Sequence, residues 1–275
     1  VILVTGGAGL VGSALTAALR ARGAEVAGTS HSGRPGLLPL DLADPAAAPL
    51  PEGVETAVLC AWQGGVDACA ADPAGTAARN VAGNIALATR LRSAGARVIF
   101  LSTSLVFAAP PSAPRSPVTP CCEYARQKVF VEAALDPARD AVVRVTKVAE
   151  TLLPRLKTWA AELRAGRPVR VASAMKIAPV PLSDVASALA SLALEFEPGV
   201  FQMSAARDVS YGDVAVALAS RLGASPDLLL NAPPPGRLFD PVPVSGALEI
   251  AGPAEGRYWP GGADAMQSLV EQAIS

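Results

Sequence analysis

The chain has 275 residues, 51% of them hydrophobic and only 4% aromatic, and a net charge of −1 from 23 basic and 24 acidic side chains. That length suits one large α/β unit or one domain with a smaller lobe, and alanine and valine must fill much of the core. The near-neutral balance argues against a nucleic-acid surface or a polybasic membrane patch, and no uninterrupted apolar run of about 18 residues marks a membrane span.

Residues 1–5, VILVT, read as a buried parallel strand, and residues 13–22 read as a helix. Between them Gly6, Gly9 and Gly12 stand at G-x-x-G-x-x-G spacing, with Leu10 and Val11 inside the motif. Glycine at 6 permits a tight turn. Glycine at 9 removes a side chain that would block a pyrophosphate, and glycine at 12 lets helix and strand pack closely. The helix start adds free N–H groups and a partial positive charge. A glycine-rich turn without ligand would carry the same letters, but the strand–turn–helix setting makes a dinucleotide cofactor the first expectation. This apolar run belongs to the turn and no basic segment precedes it, so no signal peptide is expected.

Further strands are predicted at 25–29, 35–42 (ending at Asp41), 56–60, 97–101 and 141–144. A long helix is predicted at 75–94, with Arg79, Arg90 and Arg92 facing solvent, and another at 124–135. Strands alternating with helices imply a parallel sheet covered on both faces: an α/β, Rossmann-type doubly wound fold. Five prolines between 109 and 120 exclude a regular element there and imply a stiff loop over the cleft. After residue 150 the pattern changes. Helices are predicted at 152–165, 210–222 and 264–274, and another runs to 195 from a cap at Ser183 and Asp184. Short strands fall at 169–171, 177–181 and 200–203, and a proline- and glycine-rich coil with short strands spans 231–262. Residues 1–150 thus read as the dinucleotide-binding domain. Residues 151–275 read as a smaller C-terminal substrate lobe interleaved with the last sheet elements.

Cys60, Cys69, Cys121 and Cys122 have neither zinc-site nor C-x-x-C spacing, and His31 is the only histidine. No metal site is expected, and free thiols point to a reducing cytoplasm.

Thr103, Tyr124 and Lys128 form the sharpest chemical constellation. Tyr124 and Lys128 are four apart on one predicted helix and share a face. Thr103 sits at the C-terminal end of a parallel strand, the edge at which open sheets bind ligands. A neighbouring ammonium and a cationic nicotinamide favour the phenolate of Tyr124, which would exchange a proton with a substrate oxygen. Thr103 would orient that oxygen, and Lys128 would also hold the nicotinamide-ribose hydroxyls. The plain alternative is a partly buried tyrosine beside a solvated lysine; the glycine turn and the strand-end hydroxyl favour chemistry. The second strand is followed by Ser30, His31, Ser32, Gly33 and Arg34, with no carboxylate for the adenosine ribose. Arg34 could pair with a 2′-phosphate and Ser30 could donate to it. NADP is therefore the expected cofactor, with NAD as runner-up.

These pieces occur together with DL at 41–42, NVAGN at 80–84, STSLVF at 102–107, YARQK at 124–128, VVRVTKV at 142–148 and PLSDVASAL at 181–189. The chain resembles an extended short-chain dehydrogenase/reductase of the NAD(P)-dependent epimerase/dehydratase superfamily, nearest to dTDP-4-dehydrorhamnose reductase-like proteins. The resemblance implies cofactor contacts from Gly6, Gly9 and Gly12, adenine contacts from Asp41 and Leu42, and Ala61 backbone near the nicotinamide ribose. It implies catalysis by Thr103 (with Ser104 a rival), Tyr124 and Lys128. The implied activity is NADP-dependent oxidation or reduction at a carbonyl or hydroxyl of a sugar or sugar-nucleotide-like substrate. An epimerase and a non-catalytic nucleotide-binding subunit are the alternatives. A homodimer through helices 75–94 and 124–135 is also implied. The chain departs from the family pattern at Cys60-Ala61-Trp62, at Ala108-Ala109-Pro110 and at Cys121-Cys122-Glu123. Trp62 either narrows the cleft or packs under the loop. Arg155, Arg164, Arg167, Arg170, Arg207 and Arg237 are candidates for an anionic part of the substrate.

Overall fold

A computed structural model describes residues 1–108, 113–233, 248, 258–260 (backbone only) and 265–275. Its strands are β1 (Ile2–Thr5), β2 (Val26–Ser30), β3 (Leu38–Pro39), β4 (Thr56–Leu59), β5 (Arg97–Thr103), β6 (Ala141–Val145), β7 (Lys147–Val148), β8 (Val169–Val171), β9 (Lys176–Ile177), β10 (Pro179–Val180), β11 (Gly199–Ser204), β12 (Val209–Ser210), β13 (Leu229–Asn231) and β14 (Tyr258–Pro260). Its α-helices are α1 (Leu10–Ala21), α2 (Val66–Ala71), α3 (Pro73–Ala77), α4 (Asn84–Ser93), α5 (Glu123–Ala133), α6 (Leu153–Arg164), α7 (Leu182–Leu194), α8 (Tyr211–Leu222) and α9 (Ala265–Ile274).

Eight strands form one sheet in the order β14-β11-β6-β5-β4-β1-β2-β3, with every neighbouring pair parallel. β1, β4 and β6 are buried along their whole length, as continuous apolar strands covered on both faces must be. On one face Leu15 and Leu19 of α1 and Val185, Leu189 and Leu192 of α7 pack over Val4, Val58, Ile99 and Val143. On the other, Leu87 and Leu91 of α4 and Val131 of α5 cover Leu3, Leu59 and Phe100. This is the expected doubly wound α/β fold. The chain beyond 150 supplies α7, β11 and β14 to that layered unit. Its α6, α8 and α9 build a separate cluster around Leu156, Trp159, Leu218 and Leu269. In α8, Ser210 and Asp213 cap each other's backbone N–H groups, both at 2.9 Å, and Gly223 closes the helix at φ +63°.

Several expected boundaries move. Helix α1 begins at Leu10, not at 13, because Gly9 is extended (φ −81°, ψ 170°) and the chain enters the helix directly after it. The third strand shrinks from 35–42 to Leu38–Pro39. Asp41 lies beyond it in a turn, its Oδ1 accepting the Ala43 N–H at 2.8 Å. The single helix expected at 75–94 is instead α3, a π-helical turn at Ala78–Gly83, and α4. Buried Asn80 explains the break. Its amide donates to Gln63 O at 3.0 Å and to Gln127 Oε1 at 3.1 Å, and its Oδ1 accepts the Gln63 N–H at 2.7 Å. Gly83 packs on the Leu42 carbonyl so closely that no side chain would fit. Arg92 is not solvated but donates at 3.0 Å to the buried Asp140. Helix α2 occupies residues where no element was expected. Helix α7 starts at Leu182, whose N–H is taken by the Glu150 carboxylate at 2.8 Å in place of a Ser183 or Asp184 cap. Residues 109–112 of the proline loop and 234–247, 249–257 and 261–264 of the coil lie outside the described residues. From 113 to 120 the only ladder contact is the Phe107–Thr119 bridge.

A Cβ on Gly12 would enter the space of the Gly6 carbonyl, whereas Gly65 has nothing within 4 Å of that position. Gly12→Ala is therefore expected to cost about 1–3 kcal/mol, and Gly65→Ala within about 0.5 kcal/mol, as read by denaturant unfolding.

Candidate active site

The sheet order reverses between β1 and β4, so the crevice beyond their C-terminal ends is the switch point at which such sheets bind ligands. Gly6 turns there at φ +66°, in the left-handed region, and a Cβ on it would meet Ala61 N and Cα at 3.0 Å. The Gly7 N–H donates to Thr29 O at 2.7 Å and the Gly9 N–H to Gly6 O at 2.8 Å. The Ala61 N–H donates to Thr5 Oγ1 at 3.0 Å, tying the end of β4 to the end of β1. Helix α1 has no side-chain N-cap, so the Leu10, Val11 and Gly12 N–H groups face the crevice without an intrahelical acceptor. A side-chain-free turn and an uncapped helix start fit a pyrophosphate.

Further along the crevice, Ser30 is buried with its Oγ 3.2 Å from Ser32 Oγ. The Arg34 side chain is exposed and makes no hydrogen bond or ion pair among the described residues. Asp41 Oδ1 lies 3.7 Å from His31 Nδ1, and both side chains are exposed. Leu42 is buried in the core cluster under α4.

Thr103, Ser104, Tyr124 and Lys128 line one cavity of about 820 Å³, with Val11 of the glycine turn at its edge. Thr103 ends β5 and its Oγ1 accepts the Leu105 N–H at 3.2 Å. Lys128 is buried and donates to Leu101 O at 2.7 Å. Its Nζ lies 3.7 Å from the Trp62 ring centroid, 4.6 Å from that of Phe100 and 5.8 Å from that of Tyr124. Trp62 meets Tyr124 edge-on at 5.8 Å. It lines the cavity and also packs against the core cluster behind it.

Burial pulls the Lys128 pKa down to about 7, opposed by the field of Cys60 and Glu132. Burial also pushes the Tyr124 phenol well above its ordinary range, with the neighbouring Cys122 and Cys69 adding to the shift. Burial thus opposes the phenolate that a neighbouring ammonium and a cationic nicotinamide would favour. The ammonium is turned to the Leu101 carbonyl. The Cys60 thiol rises to about 12 by burial and is neutral. Among the described residues no group of three His, Cys, Asp or Glu could hold a metal ion.

The far wall of the cavity is cationic. Lys147, Arg155, Arg170 and Lys176 line it beside Trp159 and Tyr211, and Asp67 is the only acid among the described lining residues. Arg155 stands over the Tyr211 ring at 5.4 Å, and burial lowers the Lys147 pKa, with Arg155 adding to the shift. Of the other arginine candidates, Arg164 donates to the Ile274 carbonyl, Arg167 pairs with Glu162 at 2.5 Å and Arg207 is exposed. Arg237 lies outside the described residues. The sequence offered no sign of Lys176, Trp159 or Tyr211, because no local motif carries them.

A glycine cradle at the switch point of a doubly wound sheet marks a dinucleotide-dependent enzyme. Residues 2–149, more than half of the chain, match the model of the NAD dependent epimerase/dehydratase family, and the chain belongs to that family of NAD(P)-dependent enzymes. No curated protein matches the chain. Similar solved structures include a UDP-glucose 4-epimerase with UDP-glucose from Thermotoga maritima (20% identity, TM-score 0.78, covering 99% of this chain and 97% of that one). A dTDP-glucose 4,6-dehydratase from Streptomyces venezuelae, with NAD bound, shares 20% identity at TM-score 0.77 over 98% and 95%. A dTDP-4-dehydrorhamnose reductase from Clostridium acetobutylicum shares 19% identity at TM-score 0.76 over 100% and 99%. At these identities the likeness is one of fold. No described helix is long and apolar enough to cross a membrane.

The depressed Lys128 pKa fixes a pH signature. Between the folded value near 7 and the ordinary 10.5, the unfolded chain binds the extra proton, so this residue makes stability rise with pH across that window. Lys128→Met is expected to raise the melting temperature at pH 7, and the gain is expected to shrink as pH approaches 10. A gain that is constant with pH would contradict the shift.

Proposed function

We propose that the chain is an NADP-dependent oxidoreductase reducing a carbonyl of a sugar-nucleotide-like substrate. One observation carries this: Thr103, Tyr124 and Lys128 open onto the same cavity as the cationic wall of Lys147, Arg155, Arg170 and Lys176. A substrate with an anionic linker and a reactive sugar would lie between the two ends. The dTDP- and UDP-sugar enzymes among the similar structures support that class. Gly6, Gly9, Leu10, Val11 and Gly12 would hold the pyrophosphate, Ala61 and Lys128 the nicotinamide ribose, and Asp41 and Leu42 the adenine. A bound nicotinamide supplies the hydride. Thr103 donates a hydrogen bond to the carbonyl oxygen, and the protonated Tyr124 delivers the proton as negative charge develops there. Lys128 stabilises the phenolate left behind. Residues 151–275 serve as the substrate lobe. Phe130 on α5 is 63% exposed and supports a homodimer through residues 75–94 and 124–135.

The unpartnered Arg34 and the absence of a carboxylate at the end of β2 support NADP over NAD, although NAD is the cofactor named in similar structures.

Incubation with reduced cofactor and a panel of dTDP- and UDP-linked 4-ketohexoses tests the reaction. Tyr124→Phe is expected to lose about 10²-fold or more in turnover while cofactor binding survives; undiminished turnover would remove Tyr124 from the mechanism. Arg34→Ala is expected to weaken NADPH about tenfold, the equivalent of about 1.4 kcal/mol, and to leave NADH unaffected. Tighter NADH than NADPH binding by the unaltered chain would reverse the cofactor assignment.

A further inference from the structure

A buried ion pair stands behind the Tyr124–Lys128 pair. Arg144 on β6 grips Glu132 on α5: its Nε lies 3.2 Å from each carboxylate oxygen, and its Nη2 donates to Oε2 at 2.6 Å. The two side chains are 6% and 9% exposed. The Ser102 hydroxyl donates to Glu132 Oε1, and Arg144 Nη1 donates to Pro114 O at 2.9 Å. The Phe107 ring lies 5.0 Å from the guanidinium. Ser102 immediately precedes Thr103, and Glu132 follows Lys128 by four residues, the spacing at which lysine and glutamate meet along a helix. They do not meet here. Among the described residues Lys128 has no carboxylate within ion-pairing distance, and its ammonium bonds to the Leu101 carbonyl.

We propose that Arg144 is a positioning residue for the proton-handling pair: by occupying both oxygens of Glu132, it keeps that carboxylate from capturing the Lys128 ammonium. The proposal rests on Tyr124 and Lys128 acting as that pair. The groups facing Lys128 are Cys60 just after β4, Cys69 from α2, Tyr124 and Glu132 from α5, the Leu101 carbonyl from β5, and the rings of Trp62 and Phe100. Burial raises the pKa of both thiols and of the phenol, so all three are neutral. Glu132 is therefore the one formal negative charge acting on Lys128, and Arg144 offsets it. Without Arg144 the carboxylate would turn to the lysine, hold it as ammonium and draw it from the phenol.

Lysine-selective NMR of the full chain without cofactor reads this directly. The protein has four lysines, and Lys128→Met assigns the signal. In Arg144→Met the Lys128 titration midpoint is expected to rise by about one pH unit. In Glu132→Gln/Arg144→Met, which removes both members of the ion pair together, it is expected to return to the wild-type value or below. A folded Arg144→Met with an unmoved midpoint, or a double variant that shifts as the single does, would overturn the proposal. If Arg144→Met does not fold, Arg144→Lys takes its place: one ammonium cannot hold both carboxylate oxygens and the Pro114 carbonyl. A smaller upward shift then supports the proposal, and none defeats it. The titration needs no turnover, so it stands apart from any failure of the proposed reaction.

Discussion

A lysine ammonium buried between a helix and a sheet sets the terms for the rest of the site. Isolated charge is costly to remove from water. Lys128 recovers part of that cost from one backbone carbonyl and from the faces of Trp62 and Phe100. Each partner comes from a different place in the chain: the carbonyl and Phe100 from β5, Trp62 from the loop after β4, the lysine from α5. The ammonium is stable only while all three elements are docked. The proposed proton-handling pair is thus part of the contact that seats α5 on the sheet, against the packing of Phe100 and Val131 behind it.

The parallel sheet converts that contact into an extended site. Every strand of the sheet points its C-terminal end the same way, so Thr103 at the end of β5 shares one edge with Gly6, Ala61 and Thr146, which lie just beyond β1, β4 and β6. The glycine turn can sit against Ala61 only because β1 and β4 are neighbours at the reversal of strand order. The cationic wall then arrives from segments that follow β6, and β11 and α7 return the chain to the same sheet.

What could be read from the sequence was what short spacing encodes. The glycine turn, the alternation of strands and helices, and the tyrosine and lysine four apart all rest on contacts within a few residues. Features set by distant partners were not legible. The π-helical turn depends on Asn80 meeting Gln63 and Gln127, and the start of α7 on Glu150, 32 residues away. The position of Tyr124 was readable, but its protonation was not, because that follows from burial beside Trp62, with the thiols of Cys122 at the start of α5 and Cys69 on α2 adding to it. Arg92 looked like a surface arginine until its partner, the buried Asp140, was brought beside it. The lobe was the least legible. Tyr211 and Trp159 carry no local motif, and only the structure shows that these core residues also line the cavity.

The balance of charge around the cavity bears on which reaction of the family fits best. Elimination of water needs a base to take a proton from carbon, and a carboxylate serves best in a dry site. Near Tyr124 the described lining offers hydroxyls from Ser102, Thr103 and Ser104 and the neutral thiol of Cys60, while Asp67, the one carboxylate, is exposed on α2. A phenol held in its protonated form is a good donor and a poor acceptor. That asymmetry favours protonation of a carbonyl oxygen receiving hydride. It suits less well an epimerisation in which the same group must first take a proton from a hydroxyl, a step that leans on Lys128 to hold the phenolate. The cations at the far wall likewise add no base to the cavity and would suit an anionic substrate. For the proposed function, the protonated phenol and the lack of a buried carboxylate among the described lining residues both point to reduction.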